Sequence, residues 1–237
     1  MKRGLLRTLV VGCTLALLAS PNGSPKAVAG GPLQLAQAAQ TPSYKPPLRG
    51  APGGRVGGAS RGDMTVTIEP LSPDAHSGLT ASASPTLFYF ISSGTNLPVK
   101  FAVRSPSEVR PLIETTLPTP RAAGIQAVRL ADYRVQLQPG ITYTWSVSLV
   151  VDPRAPSNDV VGTATIVRAA ADAALDSAVR GAAPLQQAAL YAQHGFWYDA
   201  VAAAAAGETT DRHAALDALL DQIGLSEVAN IDRATAR

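Results

Sequence analysis

His76 is the residue in this sequence best placed to do chemistry, because a carboxylate and several hydroxyls lie within a few positions of it. Asp74 and Ser72 precede it, and Ser77 and Ser84 follow it. Histidine, serine and aspartate are the residue types of a nucleophile activated by a general base. Nothing around these residues marks a strained nucleophile turn or an oxyanion site. A hydrolase centred on His76 is therefore an alternative, and the sequence predicts no catalytic residue.

Metal chemistry has two weak candidates. Asp211 and His213 form the nearest approach to a metal-binding pair, but the closely spaced cysteines and histidines of zinc sites are missing. Asp152, Asn158 and Asp159 offer oxygen ligands of the kind that calcium prefers. Asp and Asn side chains also stabilise turns by bonding to nearby backbone, which explains this loop more simply. The sequence predicts no bound metal and no cofactor.

The first 29 residues predict a secretory signal peptide. Lys2, Arg3 and Arg7 precede an apolar run over residues 9–19, and Ala27-Val28-Ala29 offers a cleavage site before Gly30. The apolar run is too short to cross a bilayer comfortably, although an uncleaved anchor is the alternative. We therefore expect a periplasmic or secreted protein with no transmembrane span in the mature chain.

Charge and cysteine content narrow the possible partners. Four of the 20 basic residues lie in the leader, so the mature chain has 16 basic residues against 17 acidic ones. This balance argues against nucleic acid as a partner, because binding to phosphates needs a basic surface.

The single cysteine, Cys13, also lies in the leader. The mature chain must therefore be stabilised by packing, without disulfides.

Residues 30–62 read as a linker, because they are rich in Pro, Gly and Ala and show no hydrophobic period. The linker ends in a Gly/Arg-rich motif at residues 49–62. A phosphate-binding P-loop needs a lysine after its second glycine and a strand and helix around it, and these are missing here. Arg61-Gly62-Asp63 spells a cell-adhesion tripeptide that is also common by chance.

Residues 63–168 contain about seven short strands separated by turn residues, which is typical of a two-sheet antiparallel sandwich. The clearest strand covers residues 141–151, where apolar side chains alternate with Thr and Ser. A Leu-x-Pro-Gly turn containing Pro139 and Gly140 leads into it. We expect the Tyr143 hydroxyl to bond back to upstream backbone and Trp145 to lie in the core, as in immunoglobulin-like and fibronectin-like domains.

The composition changes at residue 169, and residues 169–237 predict a small helical bundle. Alanine is abundant, Leu175 and Val179 have helical spacing, and glycines punctuate the segment. The expected fold is thus mainly β, an immunoglobulin- or fibronectin-like sandwich followed by helices.

A cluster of aromatic residues in this helical segment is the best candidate for binding a partner. Phe196, Trp197 and Tyr198 are consecutive, and Tyr191 lies close before them. Consecutive helical residues point about 100° apart, so the three cannot share one core. Aromatic anchors of this kind often bind partners. Packing against the sandwich within one chain is the alternative.

The order of these motifs resembles the uncharacterised bacterial family DUF928. The motifs that carry the resemblance are the Gly/Arg motif at 49–62, Gly78-Leu79-Thr80, residues 85–89, Pro139-Gly140 through Trp145, Asp152-Pro153, Asn158-Asp159-Val160, residues 191–200 and residues 219–225. The resemblance implies an exported protein but supplies no activity. Family members often carry two cysteines at positions that are Asp63 and Val151 here, so that bridge is not available.

Taken together, the sequence predicts an exported, non-enzymatic binding or assembly module of the bacterial cell envelope. Its partner would be an unidentified envelope or membrane protein, bound through the aromatic cluster or the loops at the ends of the sandwich. The alternatives are the hydrolase around His76 and a ligand-sensing domain coupled to a membrane signalling partner.

Overall fold

The structure of the protein is a computed structural model that describes residues 41–47, 53–59 and 66–235. The predicted signal peptide and the Arg61-Gly62-Asp63 triplet lie outside the described residues. The described residues form ten β-strands and five α-helices. None of these helices is long and apolar enough to cross a membrane.

The strands occupy the first two thirds of the described chain and the helices the last third. The strands are β1 (Arg55–Val56), β2 (Gly58–Ala59), β3 (Thr67–Pro70), β4 (Gly78–Thr80), β5 (Thr86–Ile91), β6 (Val99–Arg104), β7 (Ile113–Leu117), β8 (Gly124–Arg129), β9 (Thr142–Leu149) and β10 (Val160–Arg168). The helices are α1 (Ala173–Arg180), α2 (Pro184–Gln193), α3 (Trp197–Ala205), α4 (Thr209–Asp221) and α5 (Ser226–Thr235).

The strands form two sheets. Sheet 1 has the order β1-β10-β9-β6-β7, and β4 also pairs with β10, in parallel. Sheet 2 has the order β2-β3-β5-β8, and all its pairs are antiparallel. The sheets contact each other through β3 and β10, α3 packs against β4 and β5, and α5 packs against β8. The prediction of antiparallel sheets followed by C-terminal helices is confirmed.

Strand β9 has one buried face because its apolar residues recur at every second position. Tyr143 and Trp145 are both buried. The Tyr143 hydroxyl accepts a hydrogen bond of 3.0 Å from the backbone N–H of Gln138, five residues upstream. Gly140 adopts a positive φ of 75° in the preceding turn, and its N–H donates to the Arg168 carbonyl. The turn therefore sets the register of β9 against β10.

Strand β5 is buried on both faces, which explains its continuous apolar run. Leu87 and Ile91 are completely buried on one face, and Phe88 and Phe90 are buried on the other. Since β5 lies between β3 and β8 and also contacts α3, its two faces meet different layers. A strand covered on both sides needs apolar residues at every position.

Residues 53–59, which the sequence assigned to a linker, join the two sheets. Strand β1 pairs with β10 of sheet 1, and β2, which follows after Gly57, pairs with β3 of sheet 2. A Cβ atom at Gly58 would lie 2.5 Å from the Val161 carbonyl oxygen, and one at Gly54 would lie 1.9 Å from that of Asp74. The glycines of the motif therefore permit close backbone approach, which is one of the physical uses of glycine.

The sheets and helices share one hydrophobic core. A single cluster of buried side chains contains Trp145 and Ile166 from the strands together with Trp197, Leu219 and Leu220 from the helices. The change in composition at residue 169 is thus a change of secondary structure within one core.

The close contact at Gly58 can be tested by substitution with alanine. We expect Gly58→Ala to lower the free energy of unfolding by about 1–3 kcal/mol, because its Cβ would overlap backbone atoms of Val161 that cannot rotate away. Gly181→Ala is the matched control, since a Cβ there meets no atom within 4 Å. Urea unfolding of both variants measures the difference, and equal midpoints for Gly58→Ala and wild type would contradict the prediction.

Candidate functional site

The aromatic residues at the start of α3 lie inside the molecule. Trp197 and Tyr198 retain 0% and 1% of their accessible surface, and Phe196 retains 6%. The Trp197 indole N–H donates a 2.9 Å hydrogen bond to the Leu71 carbonyl, just after β3. Trp197 therefore connects α3 to the end of β3 in sheet 2.

Tyr198 forms the centre of a buried hydrogen-bond network. Its hydroxyl accepts a 2.9 Å bond from the indole N–H of Trp145 and lies 3.0 Å from both the Ser72 hydroxyl and the Thr165 carbonyl. Gly78 makes room for it, because a Cβ there would lie 2.6 Å from the tyrosine ring. One helix residue thereby links β9, β10 and the segment between β3 and β4.

Tyr191 is the member of the aromatic cluster that retains some exposure. Its ring lies edge-on to Phe196, with centroids 6.4 Å apart, and Phe196 packs with Leu175 and Val179 of α1. For Phe196, Trp197 and Tyr198 the structure favours the alternative of packing within one chain. Of the four predicted partner-binding residues, Tyr191 alone keeps surface that a partner could reach.

The residues of the alternative hydrolase have structural partners. His76 Nε2 lies 2.8 Å from the Tyr44 hydroxyl, and burial lowers the pKa of His76 while Asp74 opposes that shift. Ser77 donates to the Thr165 hydroxyl at 2.8 Å, and Ser84 donates to a backbone carbonyl at 2.7 Å. The serine hydroxyls near His76 thus contribute to the fold.

The Asp-rich loop before β10 forms turns. The Val151 N–H donates to Asp159 Oδ1 at 3.1 Å, and the Arg154 N–H donates to Asp152 Oδ1 at 2.9 Å. Nδ1 of His213 lies 3.6 Å from Asp232 of α5. Within the part of the chain that the structure describes, no group of three or more His, Cys, Asp or Glu is arranged to hold a metal ion.

Asp199 is a partly buried carboxylate whose partners the sequence did not reveal. It accepts a 2.9 Å hydrogen bond from the Ala81 N–H and further bonds from Thr80 and Ser82, in the loop after β4. Burial raises its pKa to about 6, although these hydrogen bonds oppose the shift. Its partners lie more than 100 positions away along the chain, so no local pattern could identify them.

A groove of about 540 Å³ that combines apolar and charged groups lies between sheet 2 and α5. Its apolar lining includes Phe90 of β5 together with Leu225, Val228 and Ile231 at the start and middle of α5. An apolar groove with a few convergent polar groups is the usual form of a small-molecule site.

An ion pair between Arg55 and Glu69 forms the polar wall of this groove. Arg55 Nε lies 2.5 Å from Glu69 Oε1, and Arg55 Nη1 donates to the Ser72 carbonyl at 2.9 Å and approaches that of Ile223 at 3.4 Å. Burial raises the pKa of Glu69, and Arg55 opposes the shift. Arg55 therefore joins the Gly/Arg motif, sheet 2 and the end of α4.

Gly57 and Glu227 also contribute to the groove and to its charge. A Cβ at Gly57 would lie 1.9 Å from Glu69 Oε2, so glycine at this position lets the carboxylate lie over the backbone. Glu227, on the first turn of α5, lines the groove and has no ion-pair partner among the described residues. The groove therefore carries a net negative charge beside an apolar wall. The Gly/Arg motif was the only signal in the sequence that could have indicated this site.

The hydrogen-bond network of Tyr198 predicts a specific loss of stability. Tyr198→Phe should lower the free energy of unfolding by about 1–3 kcal/mol, because the buried Trp145 indole N–H loses its acceptor. Tyr133→Phe is the matched control, since Tyr133 is partly exposed and its hydroxyl has no hydrogen bond among the described residues. Thermal unfolding followed by circular dichroism distinguishes them; equal losses in both variants would argue against the network.

The raised pKa of Asp199 predicts a pH dependence. Between its ordinary value of 3.8 and about 6, the folded state holds a proton that the unfolded state has lost, so this group makes stability fall as pH rises. This contribution amounts to at most about 3 kcal/mol. Asp199→Asn keeps an oxygen acceptor for the Ala81 N–H but removes the titration. Relative to wild type, the variant should become more stable as pH rises from 4 to 6, and parallel stability curves would disprove this.

Comparison with known proteins gives one match. The profile of the Domain of Unknown Function DUF928 matches residues 56–232, from β1 into α5. Nothing matched among curated proteins or among solved structures. The matched region includes both sheets, the buried aromatic start of α3 and most of the groove. The resemblance inferred from the order of the motifs is thus confirmed, and the chain belongs to the DUF928 family.

Proposed function

We propose that this protein is an exported, non-enzymatic binding module of the bacterial cell envelope that binds a small amphipathic cation in the groove between sheet 2 and α5. The observation that carries this proposal is the groove itself, which places an apolar wall beside two carboxylates. Phe90, Val228 and Ile231 would contact the apolar part of the ligand. Glu227 and Glu69 would attract its positive charge.

The charge balance of the groove favours a cation over an anion. Arg55 is the cation among the groove residues, and its guanidinium already contacts Glu69 and two backbone carbonyls. An incoming anion would meet Glu227 and Glu69, whereas an ammonium group could pair with either. Since an ion pair in a partly dry groove is stronger than one in water, such a ligand would be oriented by its charge.

Export is proposed from the leader at residues 1–29, with its basic start, apolar run and Ala27-Val28-Ala29 cleavage site. The absence of cysteine after Cys13 is compatible with an oxidising compartment, because no thiol remains to be oxidised. A periplasmic or secreted location follows from this proposal.

We further propose that the two sheets form an immunoglobulin-like sandwich. Strands β5 and β8 lie in one sheet and β6, β9 and β10 in the other, as do strands B and E and strands C, F and G of that fold. The Tyr143 bond to Gln138 supports this, because it lies where such domains place their tyrosine corner. The helical segment would then be an addition that covers sheet 2.

A non-enzymatic role is supported by the hydrogen bonds that the serine hydroxyls and His76 already make within the fold. Ser72, Ser77 and Ser84 use their hydroxyls in structural hydrogen bonds, and Nε2 of His76 contacts Tyr44. A serine nucleophile needs an exposed hydroxyl bonded to its base. Ser72 and Ser77 are completely buried, which does not suit that role.

Ligand sensing is a second candidate, favoured by the composition of the groove. Its walls come from the Gly/Arg motif, from sheet 2 and from α5, and α5 lies more than 100 residues after the groove residues of the other two. A ligand that contacts all of them would stabilise their mutual packing by mass action. The exposed edge of Tyr191 could then contact a membrane signalling partner.

The proposal is tested by titration with dansylcadaverine, a fluorescent molecule with an aromatic apolar end and a primary ammonium group. We expect a saturable rise in fluorescence with wild type. Glu227→Lys should weaken binding by about tenfold or more, because it replaces an attractive charge by a repulsive one.

The matched control is Glu108→Lys, which makes the same charge change at an exposed site between β6 and β7. It should bind the probe as wild type does. The proposal fails if wild type shows no saturable binding, or if Glu227→Lys and wild type bind equally well.

A further inference from the structure

Residues 41–47 pack against the helical part of the protein as an extended segment without regular secondary structure. Tyr44 is its anchor and retains 8% of its accessible surface. The tyrosine ring lies edge-on to Trp197, with centroids 4.9 Å apart, and stacks parallel to His76 at 5.9 Å. Its hydroxyl lies 2.8 Å from His76 Nε2. An aromatic side chain in such a pocket is the typical anchor of a bound peptide.

The backbone of the segment is held as closely as its anchor. The Tyr44 N–H donates to Gln222 Oε1 at 2.7 Å, and Gln222 Nε2 donates to the Pro42 carbonyl at 3.1 Å. The Lys45 N–H donates to the Ala192 carbonyl at 3.0 Å. One amide side chain thus contacts the backbone on both sides of residue 43, as when a peptide is recognised through its main chain.

Gly195 leaves room in this site for the backbone of residues 41–47. Gly195 has a positive φ of 81°, and a Cβ there would lie 3.1 Å from the Lys45 carbonyl oxygen and 3.5 Å from Pro47. Pro42, Pro46 and Pro47 restrict the segment to extended conformations. A peptide that is already extended loses little entropy on binding, which is the principle of proline-rich recognition.

We propose that this surface, formed by His76, Ala192, Gly195, Trp197 and Gln222, is a peptide-docking site, and that the same segment of a second copy of this chain can occupy it. Every contact above is made by residues 42–47 themselves, and their partners lie 32 to 180 positions away along the chain. An identical segment from another copy can therefore make the same contacts. Exchange of an identical element between copies is a well-known route to dimers.

In wild type, residues 41–47 of the same chain occupy the docking site and compete with the same segment of a second copy. A tethered segment acts at an effective concentration of the order of millimolar, so wild-type copies remain largely closed on themselves in dilute solution. Exchange becomes favourable where copies are concentrated or where the resident segment is weakened. The surface is thus an assembly site that opens with local concentration, independently of the ligand groove.

The test uses two full-length variants with complementary defects. Tyr44→Ala removes the anchor but keeps the docking site, whereas Gln222→Ala weakens the site but keeps the segment; Gln222 is exposed, so its loss leaves the core intact. We expect an equimolar mixture to form a dimer in sedimentation velocity at concentrations where either variant alone is a monomer. Circular dichroism confirms that both variants are folded.

A fluorescein-labelled peptide of residues 41–47 measures the docking site directly. It should bind the Tyr44→Ala chain at least about tenfold more tightly than wild type, whose site is occupied. A peptide with Ser43→Ala is the matched control and should bind equally, because Ser43 is exposed. If Tyr44→Ala does not fold, Lys45→Pro, which removes the N–H that donates to Ala192, takes its place.

Two results would overturn the proposal. One is a labelled peptide that does not bind the emptied site, or that binds wild type and the variant alike. The other is a mixture of the two variants that remains monomeric at concentrations where the peptide saturates the site.

Discussion

The packing of the helices on the sheets depends on the hydrogen bonds of the Tyr198 hydroxyl. This hydroxyl meets the Trp145 indole, the Ser72 hydroxyl and the Thr165 carbonyl in a region from which water is excluded. Buried polar groups are costly unless all are paired, so the network permits one arrangement of α3 against the strands. The neighbouring Trp197 indole adds a second fixed bond, to Leu71. The helical segment is therefore part of the same folding unit as the sheets.

The position of α3 determines where the ligand groove and the docking site form. Because the helices cover sheet 2, α5 lies beside β3 and β5 and creates the groove with its Arg55–Glu69 pair. The same packing places the rings of Trp197 and His76 in contact with Tyr44 of the segment at residues 41–47. The ligand groove and the docking site are thus separate surfaces that both follow from one interface.

Glycine has a structural part at both surfaces. At Gly57 and Gly58 it lets a chain segment pass between the sheets and lets Glu69 lie over the backbone. At Gly195 it admits the carbonyl of Lys45. In each case a side chain would occupy space that a polar group needs, so a motif that suggested a phosphate loop instead serves close packing.

The sequence by itself determined the longer strands, most of the helices and the role of the β9 turn, because alternation, helical spacing and turn residues act over a few neighbouring positions. It also determined the family. It did not indicate β1, β2, β4 or α5, which are short or lack a clear period and form through pairing and packing with distant elements. It could not determine that Trp197 and Tyr198 face inward, that Asp199 binds Ala81, or that Arg55 meets Glu69. Those contacts join residues between 14 and 126 positions apart, and only the packing of the helices on the sheets brings them together. Tertiary structure therefore decided the sites, since a side chain's burial depends on the element that covers it.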